Sequence, residues 1–117
     1  MVEDDEAILN LSKTILQMLG YKVIAAHTPV YALHLFEEHP GDLHLLITDV
    51  VMPEMNGREL AEQLRAIRPD LKCLYMSGYT ADLIAHRGIL DEGVNFIQKP
   101  FRSDELAAKV RQVLDFL

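Results

Sequence analysis

Several features that mark specialised classes of protein are scarce in this sequence. Cys73 is its only cysteine, so no internal disulfide can form, which is typical of a protein in a reducing compartment. No apolar run approaches the length that crosses a bilayer, and residues 3–6 are all acidic, unlike the cationic start of a signal peptide. We therefore expect a cytoplasmic protein that is not exported and has no membrane contact.

Basic residues are also scarce, because acidic residues outnumber them. The 117 residues include 11 lysines and arginines against 18 aspartates and glutamates, and the resulting net charge of −7 repels phosphate backbones and anionic lipids. Direct binding to nucleic acid is therefore not expected. The length fits one domain, and a hydrophobic content of 50% can fill its core without a disulfide or a metal ion. We predict a single domain over residues 1–117.

What the sequence does contain is an alternation of strand-like and helix-like apolar patterns. The strand-like runs are short and continuous, and the segments between them repeat at helical spacing. Parallel strands joined by helices form a sheet that is covered on both faces. We therefore predict a doubly wound α/β sandwich, with strands at residues 22–26, 45–49, 71–76 and 94–98 and helices at residues 7–19, 29–39, 81–87 and 103–117. A third helix follows the loop marked by Pro53 and Gly57 and includes residues 60–67.

The predicted helices carry recognisable end signals and apolar faces. Gly20 is placed to stop the first helix, Thr28 and Pro29 to begin the second, and Ser103 to cap the last. We expect their buried faces to be formed by residues at helical spacing: Ile8, Leu11, Ile15 and Leu19 in the first helix, Leu60, Ala61, Leu64 and Ile67 in the third, and Leu106, Val110, Val113, Leu114 and Leu117 in the last.

Polar residues follow the predicted strands where each one ends. Glu3 and Asp4 follow the first apolar residues, Asp49 and Ser77 follow later strands, and Lys99 follows the last. Each has an ordinary explanation when taken alone: acids favour a helix amino terminus, Asp and Ser are turn residues, and a lysine is usually solvated. In a parallel sheet, however, the carboxyl ends of the strands meet at one edge, which is where open α/β folds bind ligands.

The chemistry of this set favours a cation site. Three carboxylates brought together repel one another and raise their pKa values unless a cation neutralises them. Oxygen ligands in an open site suit Mg²⁺, which keeps several waters and takes one or two carboxylates. Lys99 adds a further positive charge.

Four motifs then resemble the receiver domains of response regulators in two-component signalling, the CheY-like superfamily. They are Val2-Glu3-Asp4-Asp5-Glu6, the segment 47–53 (ITDVVMP) with Asn56-Gly57, the segment 75–79 (YMSGY), and Lys99-Pro100-Phe101. The resemblance covers the whole chain. It implies a flavodoxin-like (βα)5 sandwich with the parallel strand order 2-1-3-4-5.

The resemblance also implies roles for the residues at the sheet edge. Asp49 would be the phosphoacceptor. Glu3, Asp4 and Asp49, with the backbone carbonyl of Val51, would hold Mg²⁺ or Mn²⁺. Ser77 and Lys99 would contact phosphoryl oxygens, whereas Asp5 and Glu6 are expected only to favour the start of the first helix.

Switching and partners are implied in the same way. Ser77 and Phe96 would be the switch residues, and Phe96 stands where many members have tyrosine. The expected phosphodonor is a histidine kinase or a histidine phosphotransfer domain. An output domain or partner protein would bind the face formed by the predicted helix 81–87, the strand 94–98 and the last helix. A homodimer is a further partner that the resemblance implies. Such a protein is a signalling switch and not a turnover enzyme.

The first strand departs from this pattern, because only Met1 and Val2 precede the acids. We expect a truncated strand, which residues preceding Met1 would complete. The segments 75–80 and 93–101 resemble receivers that are fused behind sensor histidine kinases. A longer parent protein of the hybrid kinase type is therefore expected.

Three other functions share part of this residue pattern. An aspartate-nucleophile phosphohydrolase needs a second acid two residues after the nucleophile, where this chain has Val51. A flavodoxin-like ligand binder needs a glycine- or hydroxyl-rich loop after the first strand, where this chain has acids. A degenerate receiver that acts only as a protein-interaction module remains the alternative, although the acids and the lysine that such proteins tend to lose are all present.

Overall fold

The structure, a computed structural model, describes residues 1–39, 41, 43–79, 88 and 94–115. Within these ranges the chain forms α1 (Glu6–Met18), α2 (Pro29–Glu38), β1 (Leu45–Asp49), α3 (Gly57–Ile67), β2 (Lys72–Ser77), β3 (Phe96–Gln98) and α4 (Ser103–Asp115). The predicted helix at residues 81–87 lies outside the described residues. None of the helices in the described part of the chain combines the length and apolar character needed to cross a bilayer.

The strands are parallel and follow the predicted order. β2 lies between β1 and β3, with Asp49 opposite Met76 and Ser77 opposite Gln98. Beyond β1, Val2 bridges Thr48 on one side and Ala26 on the other. The order across the sheet is therefore 22–26, 1–2, β1, β2, β3, which is the predicted 2-1-3-4-5.

The first two predicted strands are short in this sheet. The backbone N–H of Val2 donates to the Ile47 carbonyl at 2.8 Å, and that of Ala26 donates to the Met1 carbonyl at 2.9 Å. The predicted strand at residues 22–26 is reduced to a bridge at Ala26. Residues 1–3 supply the hydrogen-bond partners of Ala26, whose carbonyl accepts from the N–H of Glu3 at 3.1 Å.

Two apolar clusters cover the two faces of the sheet. One lies under α2 and α3 and includes Phe36, Leu60 and Tyr75, and the other lies under α1 and α4 and includes Leu16 and Val110. Alternate residues of β2 belong to opposite clusters, as expected for a strand that is buried on both sides. The fold is the three-layer α/β sandwich that the sequence predicted.

The predicted buried faces of two helices were partly wrong. In α1 the buried residues are Leu9, Ser12 and Leu16, whereas Leu11 is 64% exposed. This helix has two adjacent apolar stripes, so spacing alone did not determine which of them faces the sheet. In α3 the expected residues are buried except Ile67, which is 64% exposed at the last turn.

The helix ends match the sequence signals except at α4. Asp5 caps α1 by accepting hydrogen bonds from two backbone N–H groups, and Gly20 follows that helix with φ of 94°. Thr28 caps α2 by accepting from the N–H of Tyr31. Ser103 is the first residue of α4 and not its cap. The Glu105 carboxylate instead accepts from the N–H of Arg102 at 3.1 Å, which satisfies a free donor at the helix start.

Candidate functional site at the carboxyl edge of the sheet

Asp49 is fixed by backbone hydrogen bonds on both sides. Its N–H donates to the Val2 carbonyl at 3.1 Å, and the N–H of the next residue, Val50, donates to the Met76 carbonyl at 2.9 Å. The Val50 carbonyl in turn accepts from the N–H of Gly57 at 2.7 Å. The strand, its two neighbours and the start of α3 therefore determine the position of this carboxylate.

Gly57 allows α3 to approach Asp49 closely. A Cβ atom on residue 57 would lie far inside van der Waals contact with the Asp49 carbonyl oxygen, and it would be 3.0 Å from Cγ2 of Thr48. In the sequence, Gly57 is recognisable only as part of a loop motif. Its spacing from Asp49 gave no signal of this contact, because the contact arises from how the helix folds back onto the strand.

Glu3, Asp4 and Asp49 form one acidic cluster. Each residue offers a carboxylate oxygen, and these oxygens all lie within 4.8 Å of one another. Glu3 is fully buried at 0% exposure and Asp49 is 4% exposed, whereas Asp4 is exposed. The cluster therefore has two buried members and one that faces solvent.

Lys99 binds the two buried acids. Its Nζ lies 2.7 Å from Oδ1 of Asp49 and 2.8 Å from Oε1 of Glu3. The second oxygen of Glu3 accepts from the N–H of Asp5 at 3.5 Å. The structure thus brings together four of the predicted site residues, from three separate parts of the chain.

The burial and charges of the cluster shift its pKa values. Burial raises the pKa of Asp49, and Glu3 adds to this, while the Lys99 ammonium opposes it. Burial also acts to raise the pKa of Asp4, but hydrogen bonds with Glu3 and Asp49 outweigh it and lower that pKa. Burial acts to lower the pKa of Lys99, and the hydrogen bonds to Asp49 and Glu3 outweigh it, so Lys99 stays charged.

This donor set fits a hard divalent cation. One ammonium faces three carboxylates, and the raised pKa of Asp49 means that the cluster holds a proton more readily than an isolated acid would. A cation at this position would replace that proton. Asp4 and Asp49 would offer it oxygen ligands of the type that Mg²⁺ prefers, with solvent access on the Asp4 side.

Ser77 lies beside this cluster at the end of β2. It is 4% exposed, and its carbonyl accepts from the backbone N–H of Lys99 at 2.8 Å. Its Oγ accepts from the N–H of Tyr79 at 3.0 Å. Within the described part of the chain, the hydroxyl proton of Ser77 is therefore available for another acceptor. The hydrogen bond from Tyr79 has no signal in the sequence.

The other predicted site residues lie outside the acidic cluster. Phe96 is partly buried, three residues before Lys99, and packs against the cluster under α2 and α3. The Val51 side chain is 52% exposed, and the role of its carbonyl as a metal ligand stays a prediction. Asp5 caps α1 and Glu6 is in its first turn, as expected for residues that support the helix.

Comparison with known families tests the resemblance. The sequence model of the family described as "Response regulator receiver domain" matches residues 1–111. The chain belongs to this receiver family. The family match covers all four motifs and every predicted site residue, from Glu3 to Lys99.

Individual relatives agree with this membership. The receiver is 38% identical over 115 residues to the protein named "Sensor kinase CckA" of Brucella abortus (strain 2308), covering 98% of the chain and 12% of the kinase. It is 31% identical over 114 residues to "Response regulator receiver protein CpdR" of the same organism, covering 97% of the chain and 93% of that protein. The crystal structure of the receiver domain from the hybrid histidine kinase CckA matches with a TM-score of 0.82 and 32% identity, covering 97% and 95% of the two chains.

The receiver covers very different fractions of the lengths of these relatives. The receiver spans about an eighth of the Brucella sensor kinase but nearly the whole of CpdR. Receiver sequences thus occur both within long kinases and as short proteins among the relatives.

Proposed function

We propose that this receiver accepts a phosphoryl group on Asp49 from the phosphohistidine of a histidine kinase or a histidine phosphotransfer domain. The observation that carries the proposal is the Lys99 ammonium, which lies within 2.8 Å of both buried acids at the carboxyl edge of the sheet. A buried nucleophile next to a fixed cation is suited to phosphoryl transfer, in which positioning and charge stabilisation supply most of the catalysis.

The transfer itself needs few reactive groups. A carboxylate oxygen of Asp49 attacks phosphorus, the P–N bond to the donor imidazole breaks, and the bonding electrons leave with the imidazole nitrogen. The product is an aspartyl phosphate. Lys99 can donate to a phosphoryl oxygen, and the backbone contacts of Asp49 hold the attacking oxygen in place.

We further propose that the transfer depends on Mg²⁺ or Mn²⁺. Asp4 and Asp49 would hold the ion, with the Val51 carbonyl as a further ligand and Glu3 acting through water. When bound, the ion neutralises the charge between the acids and the phosphoryl oxygens. The Glu3 carboxylate, which is paired with Lys99, keeps the ammonium close to Asp49.

Phosphorylation would change the packing of the sheet edge. The free hydroxyl proton of Ser77 can be donated to a phosphoryl oxygen, which draws the loop after β2 inward and lets Phe96 reorient. The responding face would comprise the segment after Ser77, β3 and α4, where an output domain, a partner protein or a second receiver would bind. We propose a cytoplasmic signalling switch, with residues 1–117 as one receiver domain, and not a turnover enzyme.

Intact-mass measurement after treatment with acetyl phosphate and Mg²⁺ tests this function. We expect one added phosphoryl group in the wild type and none in Asp49→Asn. Asp5→Asn is the matched control, because Asp5 lies near the cluster but only caps α1. Persistence of the adduct in Asp49→Asn would rule out Asp49 as the acceptor.

The alternative is a degenerate receiver that binds partners without being phosphorylated. It predicts no adduct with acetyl phosphate or a phosphorylated histidine kinase, and partner binding that is equal in the wild type and Asp49→Asn. The retained acids and Lys99 favour the phosphoacceptor.

A further inference from the structure

The strand face that carries Ser77 also carries an aromatic side chain, Tyr75. Successive side chains of a strand point to opposite faces, so Cys73, Tyr75 and Ser77 share one face of β2. Cys73 and Tyr75 accordingly lie in the cluster under α2 and α3, whereas Leu74 and Met76 lie in the other cluster. Tyr75 is 5% exposed. Its ring is therefore part of the packed core directly below Ser77.

The same ring lies next to Phe96. Tyr75 is the register partner of Phe96, and its N–H donates to the Asn95 carbonyl at 3.0 Å. Directly opposed side chains in paired strands point to the same face, and the strands are roughly 4.8 Å apart. Phe96 is only partly buried and packs against the cluster that contains Tyr75. Phe96 can therefore turn inward only across or beside this ring.

The Tyr75 side chain also has a neighbour on its own strand. Its hydroxyl interacts with the side chain of Cys73, which precedes it on the same strand face. Burial raises the pKa of Tyr75, so the hydroxyl stays neutral. Tyr75 therefore enters the packing beside Phe96 as a neutral aromatic ring.

We propose that Tyr75 is a positioning residue of the switch, whose ring limits the space into which Phe96 turns when Ser77 is drawn toward a phosphoryl group. This inference rests on the proposed function and adds a residue to it. Tyr75 touches neither the phosphoryl group nor the cation site. It acts through Phe96.

The test replaces the ring while leaving the acidic cluster intact. Tyr75→Leu removes the ring, Tyr75→Phe keeps it, and Phe36→Leu is the matched control. Phe36 is 3% exposed in the same cluster but lies on α2, away from β3. The backbone amide resonances of Phe96 and Ile97 are followed by NMR before and after treatment with acetyl phosphate and Mg²⁺, and the rate of phosphoryl incorporation is measured in parallel.

In unphosphorylated Tyr75→Leu, we expect the Phe96 and Ile97 resonances to lie closer than in the wild type to the positions that they take after phosphorylation. This movement corresponds to at least about a threefold rise in the ratio of switched to unswitched protein. Tyr75→Phe is expected to restore the wild-type positions. Phe36→Leu is expected to lose stability without this movement. Incorporation at Asp49 should stay within about twofold of wild type in all three, because none touches the reacting atoms.

Two results would overturn the inference. One is an equal movement in Tyr75→Leu and Phe36→Leu, which would indicate general loosening of the core. The other is no movement in Tyr75→Leu, or in Tyr75→Met if the leucine variant does not fold. In both cases, if the wild type is still phosphorylated, the proposed function is not contradicted. A wild type without phosphoryl incorporation would refute both.

Discussion

Replacing Gly57 by alanine tests how tightly α3 is fitted against the strand that ends in Asp49. The added methyl group would clash with the Asp49 carbonyl oxygen and press on Thr48. Gly57 cannot simply move away, because its N–H is bonded to the Val50 carbonyl at 2.7 Å. The opposing oxygen belongs to the main chain of a buried strand and cannot rotate out of the way.

Two effects of opposite sign determine how much Gly57→Ala changes the free energy of unfolding. Adding a methyl group to a packed core costs about 1–3 kcal/mol, and replacing glycine in a helix returns about 0.4–1 kcal/mol through the unfolded state. Because the clash is with backbone, we take the upper end of the cost and expect a net loss of about 2 kcal/mol. For a chain of 117 residues this lowers Tm by roughly 6–12 °C.

Thermal and urea unfolding followed by circular dichroism measure this loss. Gly78→Ala is the control, because, among the described residues other than its two chain neighbours, no heavy atom lies within 4 Å of the methyl group that it adds. That variant should stay within about 0.5 kcal/mol of wild type. Displacing the Asp49 backbone should also slow acetyl phosphate labelling of Gly57→Ala by roughly tenfold or more. If Gly57→Ala is no less stable than Gly78→Ala, the close approach of α3 to Asp49 is wrong.

Three further predictions concern the site and the core. In calorimetric titrations, Asp4→Ala should weaken Mg²⁺ binding more than Asp5→Ala, which removes a helix cap; the reverse order would mean that the assigned acids are wrong by one residue. The phosphoryl group should be long-lived, because the Val51 side chain offers no polar atom to orient water and the half-exposed Tyr79 is bulky enough to obstruct the approach of water. Val51→Asn and Tyr79→Glu should therefore accelerate phosphate release, and unchanged rates in both would exclude this explanation. Burial raises the pKa of the Cys73 thiol to about 11 from 9.0, so iodoacetamide at pH 8 should modify it only after unfolding. Since the folded pKa is the higher one, the neutral thiol contributes stability below pH 9 that is lost as the pH rises toward 11, by about 2–3 kcal/mol at most. Modification of the folded protein at the unfolded rate would contradict the burial.

The parts of the fold that follow from local chemistry were predictable from the sequence. Asp5, Gly20 and Thr28 act at helix ends through hydrogen bonds and φ angles that depend on neighbouring residues only. The buried face of α1 was not predictable, because Leu11 and Leu16 are equally apolar and only the packing against the sheet distinguishes them. The reduced strand at Ala26 also depends on a partner that is distant in sequence.

Some features of the candidate site could likewise be predicted from the sequence, and others could not. Strand ends in a parallel sheet share one edge, so the meeting of Glu3, Asp49 and Lys99 could be predicted from topology. The degree of burial of Glu3 and the close approach of Gly57 could not, because both depend on how α3 and the first strand are placed in three dimensions. The hydrogen bond from the Tyr79 N–H to the Ser77 Oγ likewise depends on the path of a loop.

The segment of residues 1–3 joins the sheet and carries part of the site at the same time. Its backbone is hydrogen-bonded to Ala26 on one side and to Ile47 and Asp49 on the other, and the carboxylate of its last residue, Glu3, pairs with Lys99. A local opening of this segment would therefore separate Ala26 from β1 and remove Glu3 from the cluster in one event. A cation that binds only the closed form would oppose that opening. Protection of the Val2, Glu3 and Ala26 amides against hydrogen exchange would then rise with Mg²⁺ concentration, which makes the slow exchange of three backbone groups a measure of cation binding at the sheet edge.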